Sequence, residues 1–432
     1  MGIREAIFLP VIGAICLAAP LSPRIGLYGY LWFGIMRPDL LAFAGGKYPY
    51  SLVLAVSTAI GALRHIGRSA IWLKNPFCLL LLLLQVPVGL SVLAAVEPEL
   101  SSGRYEAYIR MILVLLLIPL LIAEVEDCRR LLLVAAASLG FLALKFGVHG
   151  VIHGGADVKA GFGEMLADNN FLALALAMAI PLCWHCRAFT SSSFTRTVWI
   201  VVIGSAIAGI VMTGSRGGSV AMLAGLLFVF RRNSRNFVPL LLIAAFLVGA
   251  IYLVQDRYLS RMETLGHVHE EASAESRLLH ASIALKMAKD YPLLGVGFGG
   301  FNYSALAPRY MDEFNSQLTN HVAHNSYLQM LVDSGIFAFL LYTGLLVYAI
   351  LWLGRSAARM REIDPRYEAI PLAIQGALIV FAIGSTFYSC QRMDLPYIFL
   401  MTAAAWRTIE RSIRSRNFNS DAGLMPEMIR QT

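Results

Sequence analysis

Long apolar runs separated by short polar links set the pattern of this chain. They lie near 5–21, 25–44, 50–63, 77–97, 107–123, 131–152, 170–186, 197–214, 217–230, 237–254, 325–354, 368–389 and 394–406. Each approaches the ~20 apolar residues that carry an α-helix across a hydrocarbon core of about 30 Å. Lipid offers the backbone no hydrogen-bond partner, so runs of this kind cross it as helices. The pattern therefore predicts an all-α, polytopic integral membrane protein of twelve or thirteen spans. Its first 50 residues are the least regular, because Pro20, Pro23, Pro38 and Gly45-Gly46 interrupt the runs, and one segment there is open to a re-entrant reading.

The same pattern divides the chain. Residues 1–254 read as an N-terminal bundle of about ten spans, 255–324 as one large hydrophilic region, 325–410 as the C-terminal spans and 411–432 as a tail, disordered beyond Asn417. Within the hydrophilic region, Leu278, Leu279, Ile283, Leu285 and Met287 alternate with Arg277, His280, Lys286 and Lys289, which suits a helix from Glu275 to Asp290 lying at the bilayer surface. Pro292 and the run Gly295-Val-Gly-Phe-Gly-Gly300 end it. That run fits neither a nucleotide-binding P-loop nor a dinucleotide fingerprint, and is expected to be a flexible turn lining a site.

Composition strengthens the membrane reading. Of 432 residues, 58% are hydrophobic and only 14% charged, where a soluble domain carries about 25%. A net charge of +8 would suggest nucleic acid in a soluble protein, but here it has a topological cause, since cytoplasmic loops collect Lys and Arg. Nineteen positive residues fall in alternate connections, around Arg64 and Arg68, Arg129 and Arg130, Arg187 and Arg196, Arg231 to Arg235, Arg355 to Arg366 and the tail from Arg407; the intervening short links hold five, Lys47, Arg104, Lys159, Arg216 and Arg392. The first set is assigned to the cytoplasm, and the second, with the hydrophilic region, to the outside. Twelve spans would leave both termini inside and thirteen would place the N-terminus outside; charge does not decide between them. The first apolar run lacks a cleavable small-residue site and is read as a retained span. The six cysteines lie in or at the ends of apolar runs and imply no disulfide framework. Cys183-Trp-His-Cys186 reads as a chance C-x-x-C spacing, and His267, His269, Glu270 and Glu271 as solvated loop residues, not a metal site.

The candidate chemistry gathers on the outer side. Lys145, His149 and His153 are spaced by four and share a helix face, which suits either interfacial residues or a polar groove for an anionic head group. Arg216, in Thr213-Gly-Ser-Arg-Gly-Gly218, opposes the inside-positive bias, so an anionic partner is expected, either a carboxylate or a ligand. Arg277 is a second fixed positive charge on that side, and two guanidinium groups can grip a diphosphate through paired hydrogen bonds. His321 and His324 stand where the hydrophilic region re-enters the membrane, just before Asn325, a candidate helix cap. An imidazole there can take a proton from a hydroxyl.

Several stretches resemble one family. Ser215-Arg216-Gly217, Glu275-Ser-Arg277 leading to Pro292-Leu-Leu-Gly-Val-Gly-Phe-Gly-Gly-Phe301, and His321-Val-Ala-His324-Asn-Ser-Tyr-Leu328 resemble the bacterial O-antigen ligase and polymerase superfamily. Pro23-Arg-Ile-Gly26, Met36-Arg-Pro38, Lys145 and Asp168-Asn-Asn170 are similar to its exosortase-associated O-glycosylation ligases. The resemblance covers roughly residues 1–410. It implies an inner-membrane glycosyltransferase that moves a glycan from undecaprenyl diphosphate to an acceptor hydroxyl at the periplasmic face. No cofactor, nucleotide sugar, metal or nucleic acid is expected to take part. By position, Arg216 and Arg277 would contact the diphosphate, Lys145 would assist, and His324 would be the base; His321 is the alternative, or orients the acceptor. The acceptor would be lipid A core, a growing glycan or protein, so ligase, repeat-unit polymerase and protein O-oligosaccharyltransferase all fit. A transporter of lipid-linked glycan is the reading outside the enzymes, though no pair of related halves is visible in the sequence.

Overall fold

The computed structural model describes residues 3–42, 48–152, 168–232, 238, 242, 268–311 and 322–421. Among them there are helices and no strands. The main ones are α1 (Ile3–Ala18), α2 (Pro23–Met36), α3 (Tyr50–Ala62), α4 (Pro76–Leu93), α5 (Pro98–Leu115), α6 (Val125–Ile152), α7 (Asn169–Cys186), α8 (Ser193–Thr213) and α9 (Arg216–Arg232). They continue as α10 (Val268–Asp290), α11 (Phe301–Leu306), α12 (Ser326–Ile363), α13 (Pro365–Gly384) and α14 (Asp394–Asp421). Local sequence sets their starts. Pro23, Pro76, Pro98 and Pro365 open four helices, at the position where a missing N–H costs nothing. Asn75, Asp168, Ser192, Asn325 and Asp364 cap five by accepting first-turn amides.

At the centre stands α7, in which every residue from Leu172 to Cys186 is buried. A helix apolar all round belongs inside a bundle, and α7 packs against α6, α8, α9 and α13. Its Cys183 and Cys186 thiols point at the Ala136 and Leu132 carbonyls of α6, and both cysteines are free. Helices α6 and α8 approach so closely that a methyl on Gly147 would overlap the Ser205 backbone, and Gly209 lies against the Gly147 amide. Small residues at crossings of this kind are how helices associate in lipid, where no hydrophobic force draws them together. The outside is apolar too. Phe337, Leu340, Val347 and Leu351 form one exposed stripe along α12, which fits contact with acyl chains.

Two ends of the bundle differ in chemistry. At one, Arg24 of α2 pairs with buried Asp127 of α6 at 2.9 Å, and Arg64 donates to the Leu21 carbonyl. Arg129 of α6 lies over the rings of Phe189 and Tyr367, and Arg359 pairs with Glu410 at 2.6 Å. Arg64, Arg129 and Arg359 belong to the set assigned above to the cytoplasm, and Arg24 joins them at this end through Asp127. The other end carries the starts of α5, α7, α9, α12 and α14. Helix α1 begins there as well, since Arg4 lies within charge–charge range of Lys145 near the far end of α6.

Seven of the helical stretches are long and apolar enough to cross a membrane, among the described residues. The run 237–254 lies almost wholly outside them. Others fall short because they are broken: α1 and α2 have 16 and 14 residues, α9 has 17, and α5 is continued by a separate turn at 117–121. Helix α10 starts at Val268, seven residues before the expected Glu275, and α14 continues to Asp421, past Asn417.

The glycine run corrects the sequence reading. Residues 295–300 are buried and hydrogen-bonded, not a loose turn. Helix α12 is broken at Gly335, with φ 78°, where a Cβ would run into the Leu293 carbonyl. The break leaves backbone groups without helical partners, and the run supplies them: Val296 and Gly297 donate to the Val332 and Asp333 carbonyls at 2.8 and 3.0 Å, and Ile336 donates to Pro292 at 2.9 Å. Gly295, Gly297, Gly299 and Gly300 all have positive φ, which explains the composition of the run. Beneath it, Ile283, Met287, Val296, Tyr303 and Leu306 form a small separate core that seats α10 and α11.

Candidate functional site

Arg216 is the first residue of α9, exposed, at a helix end whose dipole favours anions. Ser215 caps that end: its hydroxyl accepts from Gly218 N–H at 3.2 Å and donates to Asn170 Oδ1 at 2.8 Å. The proton being spent there, the 2.6 Å contact with Tyr388 has the phenol as donor. Gly217 and Gly218 follow because nothing larger fits; a Cβ at Gly217 would overlap Tyr388 and Phe387, and one at Gly218 would overlap Ala173.

Tyr388 lies in the turn between α13 and α14. Burial pushes its phenol up to about 12, against the pull of the Ser215 hydrogen bond and of the Arg277 charge. It therefore stays protonated and keeps donating near neutral pH, and Arg277 of α10 lies within charge–charge range of it. Arg216 and Arg277 thus approach one turn of chain from two sides. Neither has an ion-pair partner among the described residues, which removes the structural carboxylate pair considered for Arg216 within that set.

One helical turn after Arg277 comes His280, wholly buried. Its ring stands 6.2 Å from that of His324, edge to face at 71°. Half-exposed His324 has φ 50°, a left-handed conformation that costs a non-glycine residue roughly 1 kcal/mol or more. The chain on either side holds it there. Ala323 N–H donates to Gln329 Oε1 at 2.8 Å, and Asn325 accepts from the Tyr327 and Leu328 amides while its own amide donates to the Thr386 carbonyl at 3.2 Å. Gln329 also donates to buried Asp333 at 2.7 Å, and Asp333 accepts from Gly299 N–H and Gln391.

Three of the five candidates, Arg216, Arg277 and His324, are in this way joined by a scaffold of Ser215, Tyr388 and His280. Lys145 keeps other company: its ammonium stands 5.6 Å from the Phe146 ring, and its charged neighbour is Arg4. His321 and His153 lie outside the described residues, and so does His267; of the side chains of His269, Glu270 and Glu271 nothing is described. Sequence reasoning did not single out Tyr388, His280 or Tyr303. His280 alone carried a local signal, since it follows Arg277 by three and so shares its helix face.

The fold and this site define a helical, multi-pass membrane protein with two arginines and two histidines gathered at one end. Residues 199–343 match the family model of O-antigen ligase, and residues 3–191 match a family of unknown function (DUF5935). No curated protein matches the chain. The O-antigen ligase match takes in Arg216, Arg277, His324 and the Gly335 break, and leaves out Lys145 and Tyr388. It supports a membrane glycosyltransferase of the ligase or polymerase type, with a lipid-linked glycan donor and a glycan acceptor.

Proposed function

We propose that the protein transfers a glycan from undecaprenyl diphosphate to an acceptor hydroxyl at the periplasmic face of the inner membrane. The observation that carries this is the convergence of Arg216, Arg277 and His324 on one end of the bundle, the end poor in the arginines assigned to the cytoplasm. Arg216 and Arg277, with the α9 N-terminus, hold the diphosphate. As the bond from sugar C1 to the phosphate oxygen breaks, charge grows on that oxygen, and these donors meet it there. A diphosphate leaves without a general acid, whereas an acceptor hydroxyl is a poor nucleophile. His324 takes its proton as the new bond to C1 forms, a contribution worth about 10² to 10⁴ in rate. His321 orients the acceptor, and Lys145 serves the carrier's approach. The protein O-glycosylation role of the exosortase-associated subgroup is the reading kept for the acceptor, beside lipid A core and growing glycan.

The test uses membranes of a strain lacking the protein, which supply carrier-linked glycan and acceptor together. Purified protein should release undecaprenyl diphosphate as glycan appears on the acceptor, and His324→Ala should abolish this while carrier binding persists. Carrier-linked glycan moved across vesicles with no bond cleaved would favour a transporter instead.

A further inference from the structure

Tyr303 touches His280 twice. Its hydroxyl lies 3.0 Å from His280 Nδ1 and 2.9 Å from the carbonyl oxygen of the same residue. The carbonyl can only accept, and the phenol has one proton. Burial, and after it the Asp333 charge, raises that phenol above its usual range, so the proton stays on. Both contacts are satisfied together only when Tyr303 donates to the carbonyl and Nδ1 carries a hydrogen that it donates to Tyr303. The imidazole of His280 is then fixed in its Nδ1–H form and cannot flip. Tyr303 is itself fully buried in the small core beneath the glycine run, on α11, so the pair has no room to move.

Against this fixed ring stands His324, whose left-handed backbone is clamped by Gln329 and Asn325 while its side chain is half open to the outside. The backbone clamp sets where the Cβ points; it leaves rotation of the imidazole about its side-chain bonds undetermined. The edge-to-face contact with His280 constrains that rotation from the buried side. We propose that His280, locked by Tyr303, is the positioning residue for His324: a buried wall that sets the angle at which the outer imidazole meets the acceptor hydroxyl. This rests on His324 being the base, as proposed above. Proton transfer demands a donor–acceptor separation of roughly 2.6–3.2 Å, so a ring free to swing spends most of its time out of range. The effect falls on turnover and leaves binding of carrier or acceptor alone, because neither substrate touches His280.

The experiment measures undecaprenyl diphosphate release by purified full-length protein over a titration of the same donor-bearing membranes, giving kcat and an apparent KM. His280→Ala removes the wall, and kcat should fall about 30-fold or more with KM unchanged. His280→Phe restores a ring at nearly the same place and should recover most of kcat. Tyr303→Phe deletes one oxygen, leaves the small core packed and frees the His280 ring, so kcat should fall about threefold to tenfold. It also keeps the test valid should His280→Ala fail to fold. Nitrogen-15 spectra of histidine-labelled protein should show one Nδ1–H imidazole that is lost in both His280 variants. Wild-type kcat in His280→Ala and Tyr303→Phe, equal loss in His280→Phe and His280→Ala, or a change confined to KM would overturn the positioning role. His324→Ala, run alongside, separates the two readings: if it too retains transfer, the base assignment has failed, whereas a dead His324→Ala beside unaffected His280 variants leaves the function standing and removes this inference.

Discussion

Tyr388 donates a 2.6 Å hydrogen bond to Ser215, tying the turn between α13 and α14 to the residue before Arg216. Both hydroxyls are buried, and Ser215 also caps α9, so the bond fixes the start of the helix that presents the arginine. Tyr388→Phe leaves Ser215 with its Asn170 and Gly218 partners but without that donor. Loss of a buried hydrogen bond of this kind costs about 1–3 kcal/mol. Thermal unfolding in detergent should show the loss, and transfer should fall about tenfold as Arg216 loosens. Ser215→Ala, which removes the cap as well, should be worse on both counts. Equal or better activity in Ser215→Ala would mean that the α9 terminus is set by something else.

This bond spans 173 residues, which is why sequence reading found one partner and not the other. Ser215 sits inside a recognisable stretch, whereas Tyr388 is one more aromatic at the end of an apolar run. His324 was legible for the opposite reason. Its neighbours in sequence, Ala323, Asn325 and Gln329, are also the groups that hold it. The helical class, the capped start of α12 and a helix over residues 275–290 followed from periodicity and cap chemistry alone. Gly335 was not legible as a break, because a glycine in a long apolar helix ordinarily serves close packing. Its meaning depends on the chain from Leu293 to Gly297, some forty residues earlier, filling the gap it opens.

The bundle's two ends predict which positions face the periplasm. Arg4 lies by Lys145, at the end opposite the Arg24–Asp127 pair, so α1 is expected to start on the outer side. Charge counting had left that terminus undecided. Single cysteines at Arg4 and at exposed Gly103 should react with an impermeant thiol reagent added to intact spheroplasts, whereas one at Gly67 should react only after lysis. Five of the six native cysteines are buried, so Cys16→Ser alone supplies a quiet background. Labelling at Gly67 in intact cells would reverse the orientation and take the site to the wrong face.

Arginine at 216 and 277 is tested by keeping the charge and changing its shape. A lysine ammonium cannot offer the planar pair of donors that matches two phosphate oxygens. Arg216→Lys and Arg277→Lys should each lower transfer about tenfold to a hundredfold, with protein levels in the membrane unchanged, and the double variant should be inactive. Neither residue has a carboxylate partner among the described residues, so little stability should be lost. Wild-type turnover in both single variants would show that the diphosphate is held elsewhere.

The stereochemistry of the product tests the mechanism as a whole. The site proposed here holds one base, His324, and two cationic contacts for the leaving group. A retaining pathway through a glycosyl-enzyme needs a carboxylate placed to attack C1 and then to be displaced. Asp333, the buried carboxylate nearest in sequence, is already held by Gln329, the Gly299 amide and Gln391, and is fully buried beneath the glycine run. Attack by the acceptor oxygen on the face opposite the diphosphate is the route the proposed mechanism takes, and it inverts C1. An α-linked carrier glycan should give a β-linked product, read from the anomeric proton coupling of the isolated linkage. Retention of configuration would require a covalent intermediate and would end the single-displacement scheme, whatever His324→Ala does to the rate.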